Sequence, residues 1–507
     1  MRKSFGDWVP DLPPFKLQQG LTVCENVVPV AAGYAPVSAL SNVDTVAASA
    51  RPKGSLAGRN PDGTPFFIAG TANKLEKKTT SSFANVSNSS GYTSVGTNRW
   101  SIVQMGTKVF AANPYNPMQV MDMSSDTTFS DVPQHAPRAK CLEVAENFLW
   151  AGDIFSSDLG SLPDAVAWSS LGNGSYWPDP TTDDATAVLS GRQVLEGNGG
   201  VVNAIISGRE VVAIFQEKAI WRADFVGNDI VWRFNRVESN HGLLIPHAAI
   251  DFEGGVLFIA EDGFRIFNYS SSTNIGKEKV NDFFFADYDF DYPDSVSMMK
   301  DPQDTKIYVS YSATGNSGVP NRIIVWDYIL DQWSLIKPGN HYDLIDASPM
   351  PLTLDSPATS DDPDVLGTGN PDTGAPGNQS FDDRPTGDSR ESVGAFDSSF
   401  RIASFSGTPL EAVLETGDLE LTPGRRSLLV SVTPQVDGER PSIQIAGLDK
   451  RAEDTTSLDW GIESETQSDG KCYMRVDARF HRLRFNLPTF FTEATDYDLV
   501  FRPTGRR

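Results

Sequence analysis

An all-β fold is predicted: a β-propeller with an additional C-terminal β-sandwich-like domain and an extended N-terminal arm. Three observations predict it. No apolar stripe at the 3.6-residue helical spacing persists over a convincing length. Short apolar runs recur along the chain, separated by glycine-bearing turns. The 507 residues include 42 Gly and 33 Pro with 10 % aromatics, a mixture that favours short strands and tight turns over long helices.

Residues 1–50 are expected to form the arm. Pro10, Pro13, Pro14, Pro29 and Pro36 lack a backbone donor and forbid helix. Residues 51–345 are assigned to the propeller. PFFIAGTANKLEKK (65–78), RWSIVQMGTKVFAANPYNPMQVMDM (99–123) and VVNAIISGREVVAIFQEKAIWRADF (201–225) each read as strands joined by turns. AAIDFEGGVLFIAEDGFRIFN (248–268) and TKIYVSYSATGNSGVPNRIIVWDYILDQWSLI (305–336) repeat that rhythm. In each unit an inner run is nearly all apolar and an outer run alternates, as a blade packed on its neighbours requires. A stacked sandwich has similar strands. Residues 346–400 have little apolar content and read as an acidic linker or long loop. Residues 401–507 return to short strands with polar turns, the pattern of a sandwich-like domain.

Charge and cysteine content exclude several function classes. The net charge is −24, of which the 346–400 segment holds −9, while 421–507 has thirteen acidic and thirteen basic residues. Such a chain is not expected to clamp nucleic acid, because phosphate affinity comes from Lys and Arg displacing counterions. The first twenty residues have no apolar core of a signal peptide, and no apolar run approaches the ~18 residues that span a bilayer. Cys24, Cys141 and Cys472 are far apart and lack CxxC spacing, so buried free thiols are expected.

Candidate chemistry is sparse. Glu261-Asp262-Gly263 reads as a hairpin corner, since Phe264 and Ile266 follow where a calcium loop would need oxygen ligands. The stretch Ser170 to Trp177 resembles the Asp-box of sialidase-type propellers, but Gly172 stands where the box has its Asp. His241 and His247 have no Cys or acidic partner at metal spacing and read as structural histidines. In ARFHRLRFNLP, alternation puts His481, Leu483, Phe485 and Leu487 on one face and Phe480, Arg482, Arg484 and Asn486 on the other. Arg482, Arg484 and Asn486 could meet DNA, an acidic partner chain or the −9 segment at 346–400; an interface or internal pairing is favoured over DNA. No catalytic, cofactor-binding or metal-binding residue is predicted, and the chain is expected not to be an enzyme.

Several segments together resemble one family. DWVPDLPPF, ENVVPVAAGYAPV, FFIAGTANKL, AVAWSSLGNGSYWPDP, VAIFQEKAIWRADFVG, FIAEDGFRIFN, LETGDLELTPGRRSLL, RFHRLRFNLP and DLVFRPTGRR occur in an order similar to that of tail nozzle (tail tubular, tail hub) proteins of short-tailed bacteriophages. The resemblance implies a structural virion protein, assembled in the bacterial host cytoplasm, forming a ring of six copies. That ring would sit below a portal–adaptor complex, carry tail fibres or spikes, and let double-stranded DNA pass without sticking. It implies no cofactor. The alternative is a tail protein whose propeller binds or cleaves host surface glycan.

Overall fold

The computed structural model describes residues 1–17, 19–133, 135–227, 230–346, 393–450 and 458–505. Most of the expected acidic linker, 347–392, lies outside the described residues. The described chain is mostly β-strand, arranged in eight separate sheets.

Five of these are four-stranded meanders whose strands follow one another in the chain. The first holds Ser55–Arg59, Pro65–Gly70, Leu75–Lys78 and Phe83–Asn85. The second holds Ser101–Met105, Lys108–Asn113, Asn116–Asp122 and Ser130–Asp131. The third runs from Arg138–Ala145 through Phe148–Ser156 and Gly160–Trp168 to Gly191–Val194. The fourth runs from Val202–Ser207 to Trp232–Glu238, and the fifth from Ala249–Phe252 to Ser272–Asn274. The second strand of the fifth sheet, Gly255–Ala260, is buried at every position, because both of its faces are covered by neighbouring sheets.

The remaining sheets are completed by strands from both ends of the chain. Ser297–Lys300, Lys306–Tyr311, Arg322–Asp327 and Gln332–Ile336 begin a nine-stranded sheet. It continues through Leu21–Glu25 into Ala412–Thr416, Phe480–Leu487, Ser442–Leu448 and Ser464–Glu465. Leu21–Glu25 meets Gln332–Ile336 at a single parallel pair, Glu25 opposite Leu335, and lies antiparallel to Ala412–Thr416 from Leu21 opposite Thr416 to Glu25 opposite Val413. His341–Asp346, Val393–Asp397 and Arg401–Ser404 take Ser41–Ala47 as their fourth strand. Val27–Val30, Gly33–Pro36, Phe491–Pro503, Ser427–Gly438 and Cys472–Ala478 build a six-stranded sheet, with Arg2–Ser4 also pairing on Phe491–Pro503.

The expected fold class is corrected by this topology. The sheets are separate, and none is curled or closed into a barrel or propeller. Residues 51–345 are not a self-contained propeller flanked by an arm and a sandwich. The first strands do pack in series, from Ser55–Arg59 against Ser101–Met105 onward, with His341–Asp346 lying back against Ser55–Arg59. That series, however, draws strands from 41–47 and 393–404. The first fifty residues, expected as an arm, supply strands to three sheets: the six-stranded, the nine-stranded and the His341–Asp346 sheets. The C-terminal strands likewise share a sheet with 297–336 instead of forming a closed sandwich. The physical reason is edge protection: Ala412–Thr416 would present unpaired N–H and C=O groups if Leu21–Glu25 did not cover them. Periodicity marks a strand but does not name a partner more than three hundred residues away.

One core cluster reflects this weaving. It runs from Phe5, Trp8, Leu21 and Cys24 through Phe258, Phe264 and Trp333 to Leu414, Phe485, Tyr497 and Leu499. All three cysteines are buried free thiols.

The Glu261-Asp262 corner joins Gly255–Ala260 to Gly263–Phe267, with Ala260 opposite Gly263. Gly263 has φ +111, and a Cβ there would sit 2.0 Å from the Asn281 side chain. Asn281, at the start of the helix Asn281–Asp287, accepts from the Phe264 N–H at 3.0 Å and donates to the Asp262 carbonyl at 2.9 Å. The Asp262 carboxylate accepts from Arg265 Nη1 at 2.6 Å. The Asp262 carboxylate is thus occupied in turn structure. Gly263→Ala is expected to lower stability by about 2 kcal/mol, because it adds backbone strain and displaces Asn281. Urea denaturation of the variant checks this.

Candidate functional site

The predicted polar face of Phe480–Leu487 is an ionic layer inside the protein. Leu483, Phe485 and Leu487 enter the main core, as alternation requires. On the other face, Arg482 has no exposed side-chain surface. Its Nε and Nη2 donate to Asp418 Oδ1 at 3.0 and 2.6 Å, and Nη1 lies 3.6 Å from Glu415 Oε1. Arg484 stands directly opposite Glu415 in the ladder and donates to its Oε2 at 2.9 Å. The Arg484 guanidinium also lies 4.2 Å from the Trp460 ring centroid. Asn486 donates to Glu463 Oε1 at 2.7 Å, and Thr22 from the N-terminal strand donates to Glu415 Oε1 at 3.1 Å.

These three residues therefore pair with Glu415, Asp418 and Glu463. Arg482 is closed to DNA or a partner chain, and Arg484 is two-thirds covered. The paired acids were not singled out from the sequence. Their signal was present: Glu415-Thr-Gly-Asp418 runs over the end of the strand Ala412–Thr416, so two carboxylates meet the neighbouring strand's arginines. The ion pairs tie the C-terminal strands to one another, and the Thr22 hydroxyl bond to Glu415 ties the N-terminal strand to this layer.

A surface cleft on the third sheet gathers a second group of polar residues. His135, Ser156, Asp158, Trp177, Asp179, Ser190 and Arg192 contribute to its lining. Arg192 grips Asp158 with two bonds, Nη1 to Oδ1 at 3.1 Å and Nη2 to Oδ2 at 3.2 Å, and also donates to Ser156 Oγ at 3.0 Å. Its guanidinium holds the Asp158 carboxyl below the usual range. The Thr181 amide and hydroxyl do the same for Asp179. The Asp-box-like turn braces the cleft floor: Ser170 Oγ donates to the Asn173 carbonyl at 3.1 Å, and Trp177 Nε1 donates to the Gly174 carbonyl at 2.8 Å. Sequence reasoning did not reach this cleft, because its residues come from four separate segments.

The histidines act structurally where they are buried. Burial, with Arg99 and Lys140 nearby, pushes His247 down to about 3. His341 is pushed down to about 4 by burial, and its ring bonds Ser310 Oγ at 2.7 Å. His241 is partly exposed, with Nδ1 3.4 Å from Glu238. Among the described residues no group of three or more His, Cys, Asp or Glu is placed to hold a metal ion. No helix among them is long and apolar enough to cross a membrane.

Glu143, on the first strand of the third sheet, is pushed up to about 8 by burial and then by the Asp251 charge, against the opposing pull of the Val144 and Ser207 N–H groups. Below the ordinary value of 4.5 the group is protonated in both folded and unfolded chains and contributes no pH dependence. Between 4.5 and about 8 the unfolded chain has lost the proton while the folded chain keeps it, so stability falls as pH rises. The slope is at most about 1.4 kcal/mol per pH unit. Glu143→Gln is expected to flatten this decline and to be more stable than wild type at pH 8.5, as thermal unfolding across pH would read.

These observations define an all-β protein of several small sheets, cross-laced by its ends. The sequence matches no protein-family model and no curated protein. Among solved structures, the chain is similar to BBS1N, as crystallised in complex with ARL6DN, at 8 % identity and TM-score 0.39, covering 73 % of this chain and 97 % of that one. It is similar to the computationally designed Ika8 protein at 12 % identity and TM-score 0.35, covering 61 % and 91 %. It is also similar to the extracellular domain of the putative hybrid two-component system BT4673 from B. thetaiotaomicron at 11 % identity and TM-score 0.35, covering 60 % and 35 %. Likenesses this distant carry no functional argument. No sheet closes into a propeller and no family model or curated protein matches, so neither the fold nor the sequence comparisons support a ring-shaped channel subunit. The expected tail-nozzle function, its DNA-ejection role and the propeller-based glycan alternative are therefore withdrawn.

Proposed function

We propose that this chain is a non-catalytic scaffold that works by holding other protein chains, further copies of itself included. The observation that carries this reading is the lacing of the ends. Leu21–Glu25 sits between Gln332–Ile336 and Ala412–Thr416, and Arg2–Ser4 is paired with Phe491–Pro503. Pulling either end apart must therefore break ladders within the core sheets, which suits a subunit that bears load between partners. The ionic layer of Arg482, Arg484, Glu415 and Asp418 is spent on the same seam. A head-to-tail or symmetric assembly of copies then needs only surface patches.

Mass measurement of the purified protein over a range of concentrations tests the proposal. A discrete assembly of several copies is expected. A monomer at every concentration that converts a substrate with saturable kinetics would overturn it.

A further inference from the structure

The connection between the fifth sheet and the strand Ser297–Lys300 carries an aromatic tip rimmed with acids. Its sequence after the helix Asn281–Asp287 is Tyr288-Asp289-Phe290-Asp291-Tyr292-Pro293-Asp294. Phe290 is 54 % exposed, although it belongs to a ring cluster. Its centroid lies 4.8 Å from Tyr288 in an edge arrangement and 6.1 Å from Phe285 in a stacked one. Tyr288 in turn stacks on Phe284 at 5.3 Å, so the exposed ring stands on a buried, rigid base.

The surrounding carboxylates divide into two sets. Asp287 lies 3.5 Å from Arg322, and Asp294 lies 2.7 Å from Lys53. Asp289 and Asp291 make no ion pair among the described residues; Asp289 Oδ1 accepts only the Asp291 N–H, at 3.2 Å. The Tyr288 hydroxyl is buried without a hydrogen-bond partner among the described residues, and its surroundings include Asp289 and Asp294. An open ring face beside two uncompensated carboxylates is the complement of a guanidinium, which can stack on the ring and donate to the acids together.

We infer that this tip is a docking point for an arginine-bearing segment of a partner protein, with Phe290 as the stacking platform and Asp289 and Asp291 as the acceptors. The inference deepens the scaffold reading by naming the chemistry of a partner, and it rests on that reading. Flat apolar partners would leave both carboxylates desolvated and unpaired, which disfavours them. Lysine would satisfy the charge but stacks less well than the planar guanidinium.

The test uses the full chain with a hexa-arginine peptide and, separately, a hexa-lysine peptide, measured by calorimetry at about 0.15 M ionic strength, where diffuse attraction is screened beyond about 8 Å. Phe290→Ser is expected to weaken hexa-arginine binding about tenfold, and Asp289→Asn/Asp291→Asn to weaken it at least as much. Phe290→Trp is expected to retain binding, and hexa-lysine to bind less tightly than hexa-arginine. The control Asp183→Asn/Glu196→Gln removes the same charge from other exposed positions and is expected to bind within about twofold of wild type. Equal loss in the control, or wild-type binding by Phe290→Ser, would overturn the inference. Because mass measurement reads assembly independently, failure at the tip and failure of the scaffold reading give different results.

Discussion

Asp418→Ala is expected to destabilise the protein by about 3–5 kcal/mol, the cost of leaving a buried charge without its partner. Arg482 has 0 % side-chain exposure and makes its two hydrogen bonds to Asp418 Oδ1, so no water can replace the lost acceptor without opening the seam. Its remaining acid, Glu415, is 3.6 Å away and already engaged by Arg484 and Thr22. The double variant Asp418→Leu/Arg482→Met should recover at least half of the loss, because removing both charges removes the desolvation penalty with the attraction. Urea unfolding of the wild type, the single variant and the double variant makes the comparison. A single-variant loss below about 1 kcal/mol would place this pair with surface ion pairs, contrary to its burial.

Trp8→Ala is expected to cost about 3–5 kcal/mol, the range for truncating a large buried aromatic. Trp8 is 1 % exposed, packs edge-on against Phe283 at 5.1 Å, and donates from Nε1 to the Thr22 carbonyl at 3.2 Å. Nearby, Asp11 accepts from the Asp282 and Phe283 N–H groups at 3.0 and 2.8 Å, at the start of the helix Asn281–Asp287. The N-terminal segment thus straps the helix to the sheets. A free arm would make the same substitution nearly silent, so thermal unfolding of Trp8→Ala separates the two descriptions.

What was legible in the sequence was local. The apolar run VLFIA beside an Asp-Gly corner gave a hairpin, because turn chemistry and alternation both act within a few residues. The two faces of 480–487 were legible for the same reason. Partnership was not. Nothing in LTVCE (21–25) announces that its neighbours are 335 and 413–416, since any exposed strand edge of suitable polarity would satisfy its backbone. The interior placement of Arg482 also escaped, because an arginine is ordinarily exposed and only the facing Asp418 and Glu415 make its burial tolerable. The cleft beside Arg192 and the acid-rimmed Phe290 depend on which loops fold side by side, and alternation within one strand says nothing about that.

The central claim is that residues near both ends of the chain are structural members of the core sheets. Native-state hydrogen exchange of the amides in 21–25 and 413–416, compared with those in 256–260, tests it most directly. The account predicts protection in the first two segments within about tenfold of that in the buried strand 256–260, since all three would open only with the core. Exchange of 21–25 within about tenfold of an unstructured peptide, with 256–260 still protected, would contradict it.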